Sequence, residues 1–128
     1  MDIRDFWKYV FKQDRAMLKT FFHEDAVIRW RCTDEEFTVD EYITATCEYS
    51  GIYEGHIERI EVDGDKVTVA AQVFPIEKTS SCHVVSFMTI KDDKIAELDE
   101  YWSRDVKAPD FRRELNIGKQ IDSPTRVF

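Results

Sequence analysis

From Tyr53 to Trp102 the sequence runs with a period of two. Four apolar runs, Tyr53 to Val62, Lys66 to Phe74, Ser81 to Ile90 and Lys94 to Trp102, are rich in β-branched and aromatic residues. Asp63-Gly64 separates the first two and Lys91-Asp92-Asp93 the last two, which predicts a pair of β-hairpins. A sheet of that size has to cover one apolar face, and the only candidate cover lies upstream.

There the period is helical. Ile3, Trp7, Val10 and Phe11 predict an amphipathic helix over residues 2–12. Asp14 is placed to cap a second, short helix running to about Phe22, with Met17, Leu18 and Phe21 as its buried stripe. Val27, Ile28 and Trp30 favour a strand over Ala26 to Arg31, closed by a loop through Thr33 to Glu36. Thr38 and Glu41 form a T-x-x-E capping box ahead of Tyr42 and Ile43, so a helix is expected from Val39 to about Tyr49, with Gly51 as its stop. The tail over 105–128, with Pro109 and Pro124, stands apart as a C-terminal extension. Helices followed by long antiparallel strands make an α+β layout, with the helices on one face of a strongly bent sheet.

Length and charge narrow the function. A chain of 128 residues is expected to form one domain. Its net charge of −8 and pI near 4.9 disfavour nucleic acid and anionic membrane surfaces as partners. The N-terminal MDIRDFWKYVFKQD is charged throughout and carries no apolar run of signal-peptide or membrane-spanning length. Cys32, Cys47 and Cys82 are odd in number and scattered, with no metal-ligand spacing, so they are expected to be reduced, structural thiols of a cytoplasmic protein that holds no metal.

Three segments carry a resemblance: FFHEDAVIRW after the paired helices, the capped helix TVDEYITATCEY, and IKDDKIAELDEYW at the last hairpin. Together they resemble the nuclear-transport-factor-2-like superfamily, and within it the SnoaL-like proteins, over nearly the whole chain up to about Arg113. The resemblance implies a cystatin-like α+β barrel: a cone-shaped, strongly curved antiparallel sheet with N-terminal helices and one further helix on its concave face. It also implies a homodimer, a pocket for a small organic molecule and no cofactor. Function is left open between cofactor-independent isomerases, cyclases or dehydratases and non-catalytic ligand-binding or interaction domains. Glu100-Tyr101-Trp102 resembles the pattern in which limonene epoxide hydrolases carry an active-site acid. Ile28 and Trp30 stand where those enzymes hold polar residues, and VTVAAQVF lacks their Arg and Asp, so that activity is not implied.

The last hairpin gives the candidate site. A two-residue turn at Asp92-Asp93 pairs Ile90 with Ile95, and the same register places Phe87 opposite Leu98, Val85 opposite Glu100 and His83 opposite Trp102. His83 and Glu100 then share a face and form a candidate acid–base dyad, with Glu100 orienting His83 and Tyr42 or Tyr49 donating to an oxyanion. Trp7, Ile28, Trp30, Tyr42, Tyr49, Val85, Phe87, Leu98 and Trp102 complete the expected pocket. Alternatively, Glu100 pairs with Arg29 or Arg31 as a structural acid. His56 is expected on the Ile60 and Val62 side, as a secondary candidate, and His23 is expected in solvent. On the other face, Val84, Met88, Ile90, Ile95 and Tyr101 form the expected dimer surface.

Overall fold

The computed structural model describes residues 1–121, so Pro124 lies outside the described residues. The first helix, α1 (Ile3–Lys12), starts where Asp2 accepts from the Arg4 and Asp5 amides, and it ends at Gln13 in the left-handed region. Asp14 caps α2 (Arg15–Lys19) by accepting from the Met17 amide. That helix stops well short of Phe22. Phe22 instead opens strand β1 (Phe22–Trp30), because Phe21 and Phe22 are drawn into pairing with the last hairpin at Ile95. Met17 is partly exposed, and Leu18 alone is buried from this helix.

A short strand, β2 (Glu35–Phe37), stands where a loop was expected and pairs antiparallel with β1. The capping box forms as the sequence predicts: Thr38 and Glu41 each satisfy the other's amide, and α3 (Val39–Cys47) follows. The chain then enters the period-two block, β3 (Tyr53–Asp63), β4 (Lys66–Pro75), β5 (Cys82–Lys91) and β6 (Lys94–Arg104), and ends in the one-turn α4 (Asp110–Arg113). Both hairpin turns satisfy their backbone chemistry. Gly64 takes φ +61 at the first, and Asp92 and Asp93 both take positive φ at the second.

The six strands form a single sheet in the order β2-β1-β6-β5-β4-β3. The sheet is mixed, not antiparallel throughout, because β1 lies parallel to β6. This architecture is α+β, with α1, α2 and α3 packed on one face. Phe6, Trp7, Leu18 and Tyr42 from the helices meet Ile28, Val69, Ala71, Val84, Met88 and Leu98 from the strands in one buried cluster. Gly55 admits the closest approach of helix to sheet, since a Cβ there would lie 2.5 Å from the Phe11 ring and from the Gln72 carbonyl oxygen.

Of the three register shifts among the described strands, one lies on β1 between Phe22 and Val27, and the other two decide which way the candidate residues face. Ile90 does pair with Ile95, but the next pair is Thr89 with Glu97, so Ala96 is an extra residue on β6. Beyond this β-bulge every side chain of β6 meets a β5 residue of the opposite parity. Phe87 pairs with Asp99, Ser86 with Glu100, Val84 with Trp102 and His83 with Ser103. The second shift lies between Ile57 and Arg59 on β3; it sets Ile57 opposite Ala71 and His56 opposite Gln72. His56 therefore lies on the face away from Ile60, contrary to the sequence reading.

Candidate ligand pocket

At one end of the sheet, where the C-termini of α1 and α3 meet the ends of β1, β4 and β6, lies a cavity of about 450 Å³. Trp30 and Trp102 form one wall, with ring centres 6.4 Å apart and planes at 67°. Tyr49 and Tyr53 contribute a second ring pair, 6.2 Å apart at 68°. Val10, Val73 and Pro75 add apolar surface, and Gln13, Thr33, Glu35, Thr46 and Ser81 bring polar groups to it. Such a mostly apolar concavity with a few polar groups has the size and character of a small-molecule site.

Glu100 sits directly behind the two tryptophans and is only 1% exposed. It accepts hydrogen bonds from Trp30 Nε1 at 3.1 Å, from Trp102 Nε1 at 3.4 Å and from the Ser86 hydroxyl. The sequence positions these groups simply. Leu98, Glu100 and Trp102 alternate along β6, Trp30 is the parallel partner of Glu100, and Ser86 is its antiparallel partner. Burial lifts the Glu100 carboxyl above its ordinary range, and the bonds from Ser86, Trp30 and Trp102 offset this only in part, so it stays raised. Beside it, burial and then the charge on Glu100 push the Tyr42 hydroxyl well above the usual phenol range.

Of the residues expected at the pocket, Trp30, Trp102 and Tyr49 line it. Ile28, Leu98, Tyr42 and Trp7 are buried in the core, and the Trp7 indole N–H has no partner among the described residues. The expected dyad is not formed. Because of the bulge at Ala96, His83, Val85 and Phe87 point to the face opposite Glu100. Tyr101 shares that outer face with His83, whereas Val84, Met88 and Ile95 are core residues, so the residues expected at a dimer surface do not form one exposed face. Glu100 is not paired with Arg29 or Arg31 either, since both guanidinium groups bind Asp99.

His83 instead joins a polar chain at the edge of the outer face. Its Nδ1 meets Asp105 and its Nε2 lies 3.2 Å from Glu58, while Asp105 also accepts from Ser81 and, at 3.1 Å, from Gln72. Burial pulls the imidazole pKa down, but the hydrogen bond and charge of Asp105, reinforced by Glu58, raise it overall. For Asp105, burial works upward and is outweighed by the bonds from Ser81, His83 and Gln72, which lower it. His23 meets the Lys91 carbonyl from within β1 and is not a free solvent residue.

The sequence reading missed Thr46, Tyr53, Val73, Ser81, Cys32 and Cys82 as lining residues. They come from strand ends, a loop and the last turn of α3, whose convergence depends on the sheet order, and no local pattern marks them. The thiols of Cys32, Cys47 and Cys82 are free. Among the described residues no His, Cys, Asp or Glu cluster could hold a metal ion, and no helix is long and apolar enough to cross a membrane.

This combination, N-terminal helices on a six-stranded mixed sheet with an end-on pocket, is the NTF2-like fold, known also as ketosteroid isomerase-like or SnoaL-like. A proposed ketosteroid isomerase from Kribbella flavida superposes with a TM-score of 0.74 at 17% identity, over 95% of this chain and 88% of its own. An NTF2-like protein of unknown function from Burkholderia xenovorans gives 0.74 at 16%, over 94% and 92%. A proposed polyketide cyclase from Sinorhizobium meliloti gives 0.60 at 27%, over 78% and 94%. An epoxide hydrolase of Mycobacterium tuberculosis shares the fold as well. No protein-family model and no curated protein matches the sequence.

Proposed function

We propose that the chain binds a small organic molecule in the cavity between the Trp30–Trp102 corner and the Tyr49–Tyr53 pair. The observation that carries this reading is the fixed wall: both indole N–H groups are anchored on the buried Glu100, so the rings are held in place beside about 450 Å³ of space. Acid–base catalysis by a His83–Glu100 dyad has no geometric basis, which favours binding over the dyad mechanism. The register shifts on β6 and β3 support a further element of the reading, that the sheet curls around the cavity as a cone, since bulges bend the strand that carries them. The free thiols fit a reducing, cytoplasmic setting.

Ligand-observed NMR with a mixture of neutral, cationic and anionic cyclic and branched organic compounds tests the reading. Binders of the wild type should lose their signal with Thr46→Phe, which places a ring in the cavity. Equal binding to both proteins, or no binder at all, refutes it.

A homodimer is part of the same proposal, with the outer face as its interface. Phe87 and Tyr101 are 49% and 46% exposed there and stack edge to face at 6.0 Å, while the helices cover only the other side. Sedimentation at micromolar concentration should give a dimer, and Phe87→Lys with Tyr101→Lys should give a folded monomer.

A further inference from the structure

The pocket has acidic groups at and behind its wall and, among the described residues, no basic side chain lining it. Among the described residues, the lining includes the carboxylate of Glu35 and no Lys, Arg or His. Glu35 is bonded to the Thr33 hydroxyl at 2.7 Å and makes no ion pair among the described residues. Glu100, fully enclosed, has three polar partners, and none of them is a cation. Two of the three are indole N–H groups, which can only donate, and both meet the same carboxyl oxygen, Oε1. Burial without a counter-charge raises the pKa of Glu100, and a cation brought close to it would favour the ionised form.

The rings in front of Glu100 are suited to supply the rest. The N–H edges of Trp30 and Trp102 are committed to Glu100, which leaves their apolar surface as what they can offer a ligand. Ring faces attract cations, and among aromatic side chains the indole ring does so best. The two pairs, at 67° and 68°, make corners that can surround a rounded ammonium group as well as they can hold a flat ring.

We propose that the ligand of this pocket is an organic cation, a substituted ammonium group on a small apolar body, with its charge seated at the Trp30–Trp102 corner over Glu100 and near Glu35. The proposal rests on the ligand-binding reading above and specifies its chemistry.

Isothermal titration calorimetry with three compounds of one shape tests it: choline, its neutral analogue 3,3-dimethylbutan-1-ol, and the anion 3,3-dimethylbutanoate. Choline should bind at least about tenfold more tightly than the alcohol, in line with a desolvated cation–π contact, and the anion should bind more weakly than both. Glu35→Gln, at an exposed position that does not threaten folding, should narrow the choline preference, and Glu100→Gln should narrow it further. Equal or tighter binding of the alcohol overturns the proposal and leaves the pocket reading intact. If none of the three binds, the proposal also falls, and the Thr46→Phe comparison then decides separately whether the cavity binds anything.

Discussion

Asp99 and Glu100 are neighbours on β6, yet the strand pleat sends them to opposite faces and into opposite physics. Asp99 lies on the outer face, partly exposed, between Arg29 at 3.3 Å and Arg31 at 3.2 Å. Glu100 lies on the helix-bearing face, enclosed, and holds two indole N–H groups and a hydroxyl instead of a cation. The outer acid is neutralised in the ordinary way of a surface, by mobile charged side chains in water. The inner one is solvated by fixed neutral dipoles, and those dipoles belong to the wall of the pocket. The difference places the pocket's aromatic wall on one face of β6 only, with both of its indole rings held by Glu100.

The largest effect should come from removing the inner acid. Glu100→Ala leaves the Ser86 hydroxyl and two indole N–H groups without their acceptor and opens a void behind the tryptophans; a loss of about 2–4 kcal/mol is expected by urea unfolding. Asp99→Asn is the matched control. It removes one charge from a solvent-accessible network and should cost less than about 1 kcal/mol, a cost that shrinks further in high salt. A Glu100→Ala variant as stable as Asp99→Asn would erase the contrast between the faces.

How much of this was legible in the sequence divides along the same strand. Local chemistry announced itself: the Thr38–Glu41 box, the Asp14 cap and the Asp92-Asp93 turn each fix their own backbone, and each stands where the residues placed it. Glu100 was also legible, as an acid alternating with Leu98 and Trp102 in an otherwise apolar row. What stayed hidden was parity. The bulge residue Ala96 is an unremarkable strand residue in sequence, with no Gly or Pro to mark it, and it inverts every pairing that follows. His83 moved from the pocket to the outer face by that single insertion. The parallel pairing of β1 with β6 was equally invisible, because it joins segments some seventy residues apart and leaves no local signature. With it went Glu35, Cys32 and Thr33, which reach the pocket only once β1 and β2 are docked beside β6.

The smallest expected effect belongs to His83, and it sharpens the comparison because this histidine is bound to two acids on the outer face. Its folded pKa is raised above the ordinary 6.5, so the protonated form is favoured by folding. The stability it contributes is complete below about pH 6.5 and is lost as pH rises through the higher folded value. The imidazole is 42% exposed, and water screens much of its attraction to Asp105 and Glu58. A decline in melting temperature of roughly 1–3 °C is therefore expected on passing from pH 6 to pH 9, beyond any shared by His83→Gln. The pocket should not register the change, because Glu100 and its three donors lie across the sheet from His83. If ligand affinity instead followed the same pH profile and lost it in His83→Gln, the two faces would be coupled, with the Asp105–Ser81 contact at the pocket rim as the route.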